Sequence, residues 1–132
     1  MRQILQQYLA VVLLTWCPLQ TTNAQNGADA MLNDLAIPLM DGLIENDEAS
    51  MLFDSPEGRI INAAASGAVS GEKIHDYYRV VLPSLGWEVR QGIPCEGSAT
   101  YCLSAVREEE NLTMSIEVTG DKSTVTYSLS PN

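Results

Sequence analysis

The chain has little histidine, little positive charge and no long apolar stretch. His75 is the one histidine in 132 residues. No second imidazole or cysteine stands near it, so no zinc pattern forms. Seven Lys and Arg face 17 Asp and Glu, for a formal net charge of −10. The basic residues do not cluster, so nucleic acid and anionic lipid heads repel the chain. Asp47, Glu48 and Asp54 lack the spacing of a calcium loop. The glycines are scattered, and none builds a phosphate-binding loop before a helix. No cofactor, metal or nucleic acid is expected.

The apolar run from Tyr8 to Cys17 is about half the roughly 20 residues that a spanning helix needs. Met1 and Arg2 precede it, and Thr22-Asn-Ala24 follows with small residues before Gln25. This is the pattern of a secretory signal cleaved after Ala24, with no transmembrane segment in the mature chain. The alternative is a lipoprotein anchored at Cys17, against which the bulky Trp16 argues. Cleavage removes Arg2 and leaves six bases against 17 acids, a net charge of −11. It also leaves two cysteines, Cys95 and Cys102. Their spacing is not that of a C-x-x-C redox pair, and an even pair in an exported chain predicts a disulfide. Closing so short a loop stabilises by about 2 kcal/mol on a chain-entropy basis. Residues 25–48 read as a lead-in segment and 49–132 as a single domain.

The most regular stretch is a helix. Ile74, Tyr77, Tyr78, Val81, Leu82 and Leu85 fall on one stripe. Ser70 suits the N-cap, and Glu72 places negative charge in the first turn. Pro83 and Gly86 end it.

Strands are predicted around this helix. Ser50 to Phe53 is a small candidate, followed by a turn at Asp54-Ser-Pro56 and Gly58. Arg59 to Val69 is a second, rich in alanine, which predicts a flat strand that the helix approaches closely. Trp87 to Gln91 and Thr100 to Arg107 follow. Leu112 to Val118 and Thr124 to Leu129 alternate strictly. Leu112, Met114, Ile116, Val118, Val125, Tyr127 and Leu129 therefore share a covered face. Thr113, Ser115, Glu117, Thr124, Thr126 and Ser128 share a wet one. The fold expected is α+β, one main α-helix packed on an antiparallel four-stranded sheet in a β-α-β-β-β meander.

Phe53-Asp-Ser-Pro-Glu-Gly-Arg-Ile60, Tyr77-Tyr78 and Leu82-Pro-Ser-Leu-Gly-Trp87 together resemble a group of small exported bacterial α+β proteins without an assigned activity. The resemblance spans roughly Pro38 to Pro131. It implies a bacterial envelope location, periplasmic or secreted, and transfers no catalytic residue.

Two functions of different class are compatible with these residues. The first is a non-enzymatic binding or accessory module with an envelope protein as partner. Its interaction face is the hydroxyl-rich set Thr113, Ser115, Thr124, Thr126 and Ser128, which carries little charge, as the centre of an interface requires. The second is a small serine-dependent hydrolase using Ser70 with Lys73 or His75. Ser70-Gly-Glu-Lys73 matches the S-x-x-K nucleophile motif, but the companion S-D-N and K-T-G elements are missing. The hydrolase predicts a cleft at the Ser70 end of the helix with Lys73 directed at Ser70.

Overall fold

A computed structural model describes Leu32 and residues 34–132. The signal segment, its cleavage point at Ala24 and the alternative anchor Cys17 lie outside the described residues.

The strands are β1 (Ile44–Glu45), β2 (Met51–Ser55), β3 (Gly58–Gly67), β4 (Glu88–Arg90), β5 (Tyr101–Arg107), β6 (Glu110–Thr119) and β7 (Lys122–Pro131). The helix α1 (Gly71–Ser84) joins β3 to β4, and a short 3-10 turn (Asp47–Ala49) joins β1 to β2. All strands enter one seven-stranded sheet in the order β1-β3-β7-β6-β5-β4, with β2 also paired to β3. Every pairing is antiparallel.

This corrects the four-stranded β-α-β-β-β meander. The sheet has seven strands, and the chain does not simply wind outward from the helix. β2 and β3 form one tight hairpin, and β5, β6 and β7 follow each other through two more. The last strand, β7, then lies against the first long one, β3, with Ala63 opposite Tyr127 and Ala65 opposite Val125. The pairing closes a long loop of chain, and no local periodicity carries it. The Ser50 to Phe53 candidate does form a strand, β2 (Met51–Ser55), and the two-residue β1 adds another that the sequence does not predict. Both line the outer edge of β3, and β2 is exposed on both faces from Met51 to Asp54, so no buried face imposes alternation on it.

α1 forms where its stripe predicted. The Ser70 side chain accepts a hydrogen bond from the Lys73 backbone N–H. At the other end Trp87 N–H bonds the Leu82 carbonyl and Gly86 N–H bonds that of Pro83. Gly86 takes a φ of 85°, so the helix stops in a Schellman arrangement. Ile74, Tyr78 and Leu82 are fully buried, with Tyr77 and Leu85 packed beside them.

The helix lies over β4, β5 and β6, not over the alanine strand as the sequence predicted. The chain before β1 runs beside β3 instead. Gly67 of β3 is pressed on the backbone of Gly42 and Leu43. Leu32, Leu35, Ile37 and Leu43 join the same core as Leu112, Met114, Ile116, Val125, Tyr127 and Leu129. Val118 is the exception on its face, 41% exposed next to the turn of the β6–β7 hairpin.

Two polar groups tie these layers together. Tyr78 Oη donates to the Pro38 carbonyl at 3.1 Å and accepts the Met40 N–H at 3.3 Å. Burial pushes the phenols of both Tyr78 and Tyr127 above their ordinary value. Below the helix end, Glu110 takes Arg59 on one carboxylate oxygen at 3.1 Å and Arg107 on the other at 3.4 Å. The Arg107 guanidinium also lies 4.2 Å over the buried Trp87 ring.

Candidate interaction face

The sheet has one face under the helix and one that, among the described residues, carries no helix or strand. Strand alternation sends Thr113, Ser115, Thr124, Thr126 and Ser128 to the open face. The register then sets them side by side. Thr113 stands opposite Ser128, Ser115 opposite Thr126, and Glu117 opposite Thr124. All five predicted residues are thus brought together.

The row through Thr113 continues across the whole sheet. It reads Met51, Asn62, Ser128, Thr113, Ser104 and Arg90, one residue per strand. At about 4.8 Å per strand the row is roughly 24 Å wide. Its interior is neutral and hydrogen-bonding. Charge enters only at the far end, at Arg90.

The two ends of the face differ. At the β4–β5 end the loop after Arg90 folds back, and Cys95 is bonded to Cys102 with Cα atoms 5.4 Å apart. Ile93 and Pro94 of that loop stand over Ser104, Thr113 and Ser115, enclosing a depression of about 330 Å³. The disulfide thus walls one side of the hydroxyl surface. At the β1–β2 end the face carries Ile44, Met51 and Phe53, which are 75%, 55% and 57% exposed. These three were not singled out from the sequence. The signal was present in Met51-Leu-Phe53, consecutive apolar residues with no polar alternation.

The residues of the hydrolase reading are placed differently. A shallow depression of about 350 Å³ does open at the Ser70 end of α1, with Gly71, Tyr101 and Ser123 in its lining. Lys73 and His75 do not line it. The Ser70 hydroxyl caps the helix by accepting the Lys73 backbone N–H. His75 lies against the Tyr101 ring, centroids 5.9 Å apart, with its Nδ1 3.7 Å from Asp76. Nucleophile and candidate base are therefore not assembled as an activated pair, which needs hydrogen-bond reach between them. Among the described residues, no group of three or more His, Cys, Asp or Glu is placed to hold a metal ion, and no helix is long and apolar enough to cross a membrane.

No family model, curated protein or solved structure matches the chain.

Proposed function

We propose that the protein is an exported, non-enzymatic binding module of the bacterial envelope, and that its protein partner docks on the open face of the sheet. One observation carries this reading. Thr113, Ser115, Thr124, Thr126 and Ser128 form a contiguous, uncharged surface in a chain of net charge −10. Interfaces are depleted of charge at their centre, and here the sheet supplies such a centre ready-made. Export rests on the signal pattern ending at Ala24 and agrees with the Cys95–Cys102 disulfide, which persists in oxidising compartments.

Crosslinking in an envelope fraction, with mass spectrometry of the product, tests the docking. The wild type crosslinks to a defined protein, and the Thr113→Lys, Thr126→Lys double variant loses that product with an unchanged melting point. A double variant that crosslinks as well as wild type sinks the reading. Intact mass of the exported protein tests cleavage after Ala24. A mass starting at an acylated Cys17 would replace it with the anchored form.

The depression beside Ser70 favours a second reading, a serine-dependent hydrolase. Ser70→Ala separates the two. A binding module keeps its partner, whereas a hydrolase loses its cellular phenotype with folding unchanged.

A further inference from the structure

One edge of the sheet is unprotected. Among the described residues β2 pairs only with β3, so its other side is free. Proteins guard such edges with charge, proline, bulges or shortness. The opposite edge follows that rule: β4 is three residues long with Glu88 and Arg90 exposed. β2 does not. Met51, Leu52 and Phe53 are consecutive and 55%, 41% and 57% exposed. The chain's single phenylalanine is thus mostly in solvent.

The turn decides which backbone groups face outward. Ser55 and Gly58 flank the two residues Pro56 and Glu57 and close the hairpin as a hydrogen-bonded pair. Alternation along the antiparallel ladder makes Phe53 and Met51 bond β3 as well. The N–H and C=O groups of Leu52 and Asp54 then point away from the sheet. Met51 and Phe53 project on the open face and Leu52 on the helix face. An added strand would find backbone partners in line and apolar side chains on both sides.

Charge selects the occupant. Asp47, Glu48, Asp54 and Glu57 are all exposed along this edge. None is in an ion pair among the described residues. Arg59, opposite Asp54 in the register, is engaged by Glu110 at 3.1 Å. A second copy pairing β2 with β2 would bring the two acidic sets together, and like charges across strands destabilise. A strand with basic ends would be attracted.

We propose that β2 is a strand-addition site for an extended segment of another protein, with alternating apolar residues between basic ends. It adjoins the hydroxyl face but does not depend on occupation of that face.

The test titrates the full chain with a short synthetic peptide of alternating valine and threonine carrying paired lysines at each end. A second peptide carries glutamates at the ends. A third keeps the lysines but has alternate backbone nitrogens methylated. Fluorescence anisotropy reads binding, and amide hydrogen exchange reads position. The lysine peptide is expected to bind saturably and to slow exchange at Leu52 and Asp54. It should bind about tenfold tighter than the glutamate peptide, and the methylated peptide should not bind. Leu52→Pro removes an outward N–H without removing a bond to β3, and should abolish binding. Thr113→Lys with Thr126→Lys should leave peptide binding intact, which separates the edge from the open face. If Leu52→Pro melts early, Asp54→Lys with Glu57→Lys serves instead and should reverse the preference between the charged peptides. Three results would overturn the proposal. The lysine peptide could fail to protect Leu52 and Asp54. The two charged peptides could bind equally. Or those amides could already be protected in the free chain in a concentration-dependent way, which would put a second copy on the edge.

Discussion

The phenolic oxygens of Tyr78 and Tyr127 lie 2.8 Å apart in the core and join the helix to the last strand. Tyr78 uses its proton on the Pro38 carbonyl, so the proton between the two rings belongs to Tyr127. The rings meet edge to face at 5.7 Å. One contact therefore fastens the chain before β1, α1 and β7 to each other.

That pair makes stability fall at high pH. Burial raises both phenol pKa values above 10.0 in the folded state. In the unfolded chain both ionise near pH 10. The folded state then holds more protons than it would if these groups were free. Their contribution is fully present below about pH 10 and is lost as pH rises above it. Urea unfolding at neutral pH and above pH 10 checks this. Tyr127→Phe should cost about 1 kcal/mol at neutral pH and lose less stability than wild type on going alkaline. Equal losses in the two proteins would show that Tyr127 is not the group responsible.

Gly67→Ala should be more damaging than Gly71→Ala. A Cβ at Gly67 would collide with the Gly42 carbonyl oxygen, where backbone meets backbone and neither can turn aside. About 2–3 kcal/mol is expected, with loss of the β1 pairing. A Cβ at Gly71 meets the Val118 side chain at 2.7 Å and the Tyr101 ring at 2.9 Å. Both are side chains near the surface and can shift, and alanine also favours the helix by about 1 kcal/mol. Thermal melts of the two variants check the order.

Removing the disulfide should weaken the fold without dissolving it. Cys95→Ser with Cys102→Ser is expected to cost about 2 kcal/mol. Most of the loop it closes is exposed, and Tyr101 beside Cys102 is the residue of it that packs against the buried core. Amide spectra should therefore change along residues 91–104 and stay constant in β7. Non-reducing peptide maps check the bond itself. Two thiols open to alkylation without reduction would disprove it.

Much of the open face was legible beforehand. Period-2 alternation between Leu112 and Leu129 assigns each residue to a face wherever one face is buried, and Thr113, Ser115, Thr124, Thr126 and Ser128 followed from it. The exposed trio Ile44, Met51 and Phe53 did not. An edge segment is held by β3 alone, so its side chains are free of the constraint that writes a pattern into sequence.

The sequence by itself determined the local elements. The Ile74–Tyr78–Leu82 stripe, the Ser70 cap and the Gly86 stop made α1, because each acts within a turn or two of chain. The tertiary structure alone decided how the strands are ordered and where the helix lies. β3 pairs with β7 because Ala63 and Ala65 fit beside Tyr127 and Val125, a match between residues about sixty apart in sequence. α1 covers β4 to β6 while the chain before β1 runs beside β3. Such choices depend on shape and on the cost of closing long loops, and those act only when distant segments meet.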